Sequence, residues 1–527
     1  MAAVDAPEID DTLPEVLPEA KSPVPPGLPV AFVAVDGNDA TASLGYQDRP
    51  YRSIAAAWKA LKPTNGAAAG AIQFRRGEVF DEPLPLCSGL SPDRPVLFGW
   101  WGDTQAPRPS LVVDQWMLQH RTPWVHTSFD GLDFYGRGND PALITAQPTR
   151  ECKINMRAQR AAPMILYFHD CTWRYVYLTI ECGGEGVQNP ASSVTLNRCK
   201  LLDAWPIAGE NKCNLLASAI KIVMDRCVVD RGGWIEDWQT RGYGKPTAFN
   251  HGIYLADCSG SRITNSIFSR PSSYGCKLTA NTLYSSHDVQ VLNNLFLDGE
   301  QAIDIGGNVY GVDRFLRPNV SQNVFYNIGK TKRPDRGPLG LAGGIRIWGW
   351  RDGVCSHNVM INDAEGYVGI NTFFLMAMES IGTTRFEGNV CTGVNSGSDG
   401  VVRIVGVPSQ DLRFSDHILD VESGTAIAFT GQPGRLGWES MAYEFPRAGR
   451  VVLVSLGAGT KPVDSSVMRA LAGQVAKPLP RKPDRVLPLP WAEYLSAIRA
   501  QGDSGKPWDE SLEAPAINAA VRAVVMP

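Results

Sequence analysis

Four side chains of unlike chemistry stand at one position of a recurring short strand: Tyr254, Lys277, Asp304 and Arg346. Their strands read HGIYLAD, YGCKLTA, QAIDIGG and GGIRIWG, and VGINTFF, VVRIVGV and TAIAFTG continue the series with Asn371, Arg403 and Ala428. The residue before each is apolar in every strand: Ile253, Cys276, Ile303, Ile345, Ile370, Val402 and Ile427. This alternation predicts the apolar set inside and the charged set outside. An outward column holding a phenol and two cations, with His251 close by, suits removal of a proton next to a carboxylate. A base takes the proton and cations hold the developing charge. Asp304 beside Lys277 raises a lysine pKa, so Tyr254 or His251 is the better base, with Lys277 and Arg346 on the carboxylate. Hydrolysis of a glycoside would instead need two carboxylates. Asp304 is one, and Asp257, Glu300, Glu236 and Asp237 are its candidate partners. The bland outcome is a Lys277–Asp304–Arg346 salt-bridge ladder. Small residues two positions earlier (Gly252, Gly275, Ala302, Gly344) are expected to leave room for a ligand.

Two insertions precede these strands, at 231–250 and 330–342. Both should emerge on one edge and wall the column between Tyr254 and Arg346, which spans three rungs or roughly 14 Å. Trp234, Trp238 and Tyr243 of the first loop offer flat apolar faces, and Arg241 offers charge. Trp348 and Trp350 flank Arg346 and complete the expected binding set. Each of these aromatics has a packing role as its alternative.

The elements that must position this column come from a second recurring strand: VTLNRC, IVMDRC, ITNSIF, VLNNLF, VSQNVF, CSHNVM, FEGNVC and FSDHIL. Its members lie about 28 residues apart, longer where a loop intervenes. The fourth position aligns Asn197, Asp225, Ser266, Asn294, Asn323, Asn358, Asn389 and Asp416 as a polar ladder at a bend. Two positions on, Cys199, Cys227, Phe268, Phe296, Phe325, Met360 and Cys391 are expected in the core. Such a period with β alternation predicts an all-β, right-handed, single-stranded parallel β-helix, each coil stacking on the next. Residues 1–30 are an acidic, Pro-rich extended segment. Residues 31–112 form an N-terminal cap, with an amphipathic helix near 51–62, and the first coils. Residues 113–431 form the β-helix, and 432–527 a C-terminal region with a Pro-rich linker and short helices.

Composition narrows the function classes. With 20% charged residues, a net charge of −4 and 44% hydrophobic residues, the chain is an ordinary folded protein without the basic footprint of nucleic-acid binding. No apolar run reaches the ~18 residues that span a membrane. The N-terminus has no secretory signal pattern. The 11 cysteines show no metal or disulfide spacing and read as small buried hydrophobes. GAGTKP at 457–462 lacks phosphate-loop spacing, and Asp36-Gly-Asn-Asp39 reads as a turn before the capping helix.

The opening VDGND…SIAAAWKAL, followed by the GIYL, N-x-F and IDIGGN rungs, resembles the pectate-lyase-like β-helix superfamily over roughly residues 31–430. That superfamily includes polysaccharide lyases, glycoside hydrolases, uronan epimerases and bacteriophage tail spikes. The resemblance implies the fold and is nearly silent on the reaction; with the residues of the column, the expectation is binding, and cleavage by a lyase before a hydrolase, of an extended acidic polysaccharide on the outer face. The missing signal pattern, the unpaired cysteines and the Pro-rich N-terminal segment point to a tail-spike-like virion setting. The alternatives are a non-catalytic virion β-helix and a free-standing bacterial lyase or hydrolase. Other virion proteins at the N-terminal segment and a homo-oligomer, a trimer for a spike, are the further partners expected. The location follows as virion or cytoplasm, with an extracellular site of action for a spike. No cofactor is expected, calcium being left open. The DPHD-type stretch of alginate epimerases and the carboxylate-rich polygalacturonase signature are absent.

Overall fold

The computed structural model describes residues 24, 26–85, 87–113, 125–146, 148, 151–158, 163–182, 188–205, 213–281, 286–307, 315–328, 342–362, 372–378, 384–395, 401–405, 412–415, 418–423, 427–430, 436–439, 442–444, 454–455, 483 and 485–525. The Pro-rich segment 1–23, the second loop up to residue 341, GAGTKP and Asp416 lie outside them.

Among the described residues, successive coils contribute one strand each to long parallel sheets of 14, 13 and 11 strands, with a small fourth sheet of three. This is a parallel β-helix. The first sheet runs from Val30–Val33 to Leu436–Glu439, the second from Val79–Phe80 to Ala442–Glu444, and the third from Lys153–Ala158 to Val454–Ser455. Strands therefore continue past residue 431, where the sequence period fades. One hydrophobic cluster fills the bore. Its aromatic rings stack at the strand spacing: Phe98–Phe129–Phe168 at 5.2 and 4.7 Å, and Phe268–Phe296–Phe325 at 4.9 and 5.2 Å.

The bend between the first two sheets holds the polar ladder, with a correction. From Ser266 onward each Asn side-chain oxygen accepts the backbone N–H one coil earlier: Asn294 from Ser266 at 2.9 Å, Asn323 from Asn294 at 2.9 Å, Asn358 from Asn323 at 3.0 Å and Asn389 from Asn358 at 3.0 Å. Earlier in the chain Cys227 Sγ serves the Cys199 N–H at 3.4 Å and Ser266 Oγ the Cys227 N–H at 3.0 Å. Cys199 and Cys227 are thus ladder residues. Asn197 and Asp225 sit two positions earlier, where Asp225 pairs with Thr264. The core partners of Phe268 are Leu201 and Val229. A polar residue is acceptable at both bend positions, so chemistry alone does not set the register. Between them Arg198, Arg226, Asn265, Asn293, Gln322 and His357 have φ of 50–62°, a column of left-handed residues that turns the chain.

The ends are sealed as a solenoid requires. Helix Ile54–Ala60 packs on the first coil, its N-cap Ser53 accepting from Ala56 N at 3.1 Å. Asp39 binds the N–H groups of Arg52 and Ser53, and Asp36 pairs with Arg75 at 2.6 Å, so the Asp36–Asp39 turn is structural. The C-terminal helices Trp491–Ala500 and Ala514–Val525 fold back along the second sheet. Tyr494, Ile498, Ile517 and Val521 cover Leu295, Leu297, Val324, Val359 and Ile361 on its outer face. Buried charges pin them there. The Lys200 ammonium donates to the carbonyls of Arg499 (2.9 Å) and Gln501 (2.7 Å) and to Asp503 (2.7 Å), while Arg499 pairs with Asp203 and Asp230.

Candidate functional site

The third sheet aligns Tyr254, Lys277, Asp304 and Arg346 on consecutive strands, in the register expected. Ile253, Cys276, Ile303 and Ile345 run behind them in the core. The next strand is Thr372–Met378. It puts Leu375 and Met376 where the sequence suggested Ile370 and Asn371, which lie outside the described residues. Arg403 and Ala428 continue the column.

The small residues behind the column do not make space for a ligand. Ladder pairing skips Gly275, Ala302 and Gly344. A Cβ on Gly275 would meet Phe296 at 3.0 Å, and one on Gly344 the Phe374 carbonyl at 2.8 Å. Two successive residues therefore point inward in each coil, in unbroken register from strand to strand, and the space there belongs to the core. The residue before this inward pair consequently turns outward. The Tyr274 ring lies beside the column, 5.6 Å from the Lys277 ammonium and 5.0 Å from the Arg346 guanidinium. The buried His251 ring stands 5.7 Å from that of Tyr254 and 5.4 Å from that of Tyr274.

The expected charge ladder is half formed. Arg346 forks onto Asp304 through two hydrogen bonds of 3.0 and 2.8 Å. Lys277 makes no salt bridge among the described residues. Its ammonium instead lies between two tyrosine rings, 5.4 Å from Tyr254 and 5.6 Å from Tyr274. Burial lowers the Lys277 pKa. Asp304 opposes that shift, Arg346 adds to it, and the net direction is downward. The opposite expectation, an elevated lysine, fails because the Asp304 carboxylate is already engaged by Arg346 and because burial outweighs it. The Tyr254 hydroxyl oxygen accepts from Thr279 at 3.1 Å, one coil on.

Trp348 borders the column, with the Arg346 guanidinium 5.0 Å from its ring. A Cβ on Gly306 would lie 2.5 Å from Trp348 Cβ, so the indole depends on glycine there. Trp350 is fully buried, its indole N–H on the Ile305 carbonyl at 3.0 Å; it is core and not binding surface. The 231–250 loop folds back on earlier coils. Tyr243 is buried and stacks on Trp205 at 5.4 Å, in a cluster with Ile235 against which Ile144, Tyr175 and Trp238 pack. Trp234 donates to the Arg270 carbonyl at 2.8 Å, and Arg241 pairs with Asp237 and donates to the Tyr243 hydroxyl. Tyr243 and Trp234 thus pack the loop, and Trp238 and Arg241 remain half-buried at its surface. Among the hydrolase candidates, Asp257 is buried and holds Asn281 through two hydrogen bonds, Glu300 is buried, and Glu236 pairs with Arg231 and Arg270. Among the described residues no cluster of His, Cys, Asp and Glu could hold a metal ion. No helix among them is long and apolar enough to cross a membrane.

Tyr274 and Thr279 escaped the sequence reading. The inward pair Gly275–Cys276 reverses the face of Tyr274 without any change in residue pattern, and Thr279 reads as an ordinary strand residue.

No protein-family model matches the chain, and no curated protein matches it. Solved structures with a similar course include a glycoside hydrolase (10% identity, 78% of this chain and 96% of that one, TM-score 0.43). A Dettilon tailspike protein matches at 11% identity over 76% and 68% of the two chains, TM-score 0.40. A mannuronic acid specific polysaccharide lyase from human gut microbiota matches at 11% identity over 75% and 87%, TM-score 0.35.

Proposed function

We propose that the outer face of the third sheet, from Tyr254 to Arg346, binds an extended acidic polysaccharide and cleaves it by β-elimination. The observation that carries this is Lys277: a half-buried cation with no salt bridge among the described residues, framed by Tyr254 and Tyr274 and beside an Asp304–Arg346 pair that is already neutral. A carboxylate is the partner such a cation lacks. With the sugar carboxylate on Lys277, the Tyr254 oxygen removes the proton from the adjacent carbon. The electron pair forms a C=C bond, the glycosidic C–O bond breaks, and the departing oxygen takes the proton from the Tyr254 hydroxyl so formed, which returns Tyr254 to its starting state. Thr279, donating to the Tyr254 oxygen, steadies it as the base. His251, next to both tyrosines, is the other candidate base. A hydrolase is less favoured, because Asp304 is forked by Arg346 and Asp257 is committed to Asn281. The setting proposed with this reading is a spike-like virion protein carried by its Pro-rich N-terminal segment.

Incubation with uronate-containing polysaccharides tests the reading. Elimination gives a conjugated product absorbing near ~235 nm, and Tyr254→Phe should lower the rate by about 100-fold or more. New reducing ends without that absorbance would establish hydrolysis instead. Binding without either signal would leave a non-catalytic adhesin.

A further inference from the structure

A cavity of about 310 Å³ lies on the first sheet, lined by Gln73, Leu97, Gly99, Trp100, Ser128 and Asp130 among others. These residues come from three successive coils, Gln73 pairing with Gly99 and Leu97 with Ser128. The cavity exists because the middle coil has glycine at this position. A Cβ there would stand 2.7 Å from the Gln73 amide. None of the residues proposed for the acidic-chain site lines it.

The polar groups converging on the cavity are unfinished. The Gln73 amide, the Ser128 hydroxyl and the Trp100 indole N–H have no hydrogen-bond partner among the described residues. Asp130 is held by the His169 ring, Nδ1 to Oδ1 at 2.7 Å, and its second oxygen has none. The amide both donates and accepts, the carboxylate accepts, the indole donates and the hydroxyl does either. Trp100 and Leu97 supply apolar walls. That combination matches the alternating hydroxyls and C–H faces of a sugar ring. The charged lining residue is Asp130, and the nearest cation, the Arg76 guanidinium, is held over the Trp100 ring at 4.5 Å and is not part of the lining, so the wall favours a neutral sugar over an acidic one. The size is at the lower end of small-molecule pockets, suited to a single ring.

We infer that the cavity between Gln73 and Asp130 is a second saccharide site, selective for a neutral hexose unit and separate from the acidic-chain site around Lys277. It does not depend on the elimination reading.

Saturation-transfer NMR on the full chain tests it, with methyl glucoside, methyl galactoside and methyl mannoside as probes and glucuronate as the acidic control. At least one neutral glycoside should show transfer at millimolar concentration, and glucuronate none that Asp130→Ala removes. Asp130→Ala and Gln73→Ala should each weaken that neutral binding by about tenfold, the loss of a hydrogen bond to a charged group or to two polar atoms. Lys277→Ala should leave it unchanged, which separates this site from the other. Gln73 is a half-buried surface residue, so its truncation keeps the inference testable should Asp130→Ala disturb the fold. No transfer from any neutral glycoside, or transfer that survives both truncations, overturns the inference.

Discussion

The electrostatic state of Lys277 depends on how Asp304 divides itself between two cations. Arg346 takes the carboxylate by a planar fork, the geometry at which guanidinium outcompetes ammonium. Lys277 keeps only a longer-range attraction, which still opposes the lowering by burial. Removing that attraction has a definite sign. In Asp304→Asn the Lys277 pKa falls further. A lysine that must be protonated to hold a carboxylate then loses its proton at a lower pH. The alkaline limb of kcat/KM for the elimination should therefore move to lower pH in Asp304→Asn, while a proton-abstracting lysine would give activity that rises on deprotonation. An alkaline limb in the same place for both proteins would remove Lys277 from the carboxylate role. Gly306 supplies a second handle. Gly306→Ala pushes a methyl against Trp348, and if that indole stacks on a sugar ring, KM should rise about two- to tenfold with kcat little changed.

At the scale of strands and bends, the ladder is where local bonds are most exposed to a single change. Asn323 accepts from the Asn294 backbone N–H (2.9 Å) and side chain (3.1 Å), and donates to the Val291 carbonyl (2.9 Å) and Asn358 (3.0 Å). Asn323→Ala leaves a buried N–H and a buried carbonyl unpaired, about 2–5 kcal/mol. Cys227 holds the same place two ladder steps before Asn294, but a sulfur is a weak acceptor, so Cys227→Ala should cost clearly less. Urea unfolding of both variants measures the difference, and equal losses would mean that the ladder amides contribute only volume. The strands facing the site were legible because period-2 alternation marks Ile253, Cys276, Ile303 and Ile345 without ambiguity. The bend was not, since Asn197 and Asn294 are chemically alike and only the stacking separates them. Nor was the inward pair Gly275–Cys276 that turns Tyr274 outward, because an inward Gly275 leaves no trace in polarity. The docking of the C-terminal helices did have a signal. LFL, VFY and VMI are apolar on both faces, as strands covered on both sides are.

For the molecule as a whole, the coils enclose the cysteines. All 11 are buried and none is in a disulfide. Burial pushes the thiols of Cys87, Cys171, Cys182, Cys199, Cys276 and Cys355 upward, and that of Cys258 up to about 12. In the unfolded chain a thiol titrates near 8.5. A folded pKa above the unfolded one means that the folded state binds more protons. The corresponding stability is complete below pH ~8.5 and is lost as pH rises beyond it, at up to about 1.4 kcal/mol per pH unit for each thiol. Lys200 acts in the reverse sense. Burial first, then Arg108, hold it down at about 8, below its unfolded value near 10.4, so its contribution grows between those two pH values. Lys277, also lowered by burial, acts in the same sense as Lys200; two lysines set at most about 2.8 kcal/mol per pH unit against seven thiols, and the thiols prevail. Urea midpoints should be level from pH 7 to 8 and fall steeply between 8.5 and 10. A thiol reagent at pH 8 should label essentially none of the cysteines in native protein and 11 after unfolding. A midpoint that holds or climbs through pH 10, or several thiols that react at once in the native state, would show that the cysteine positions are open to water and that the core of the coils is not the closed column described above.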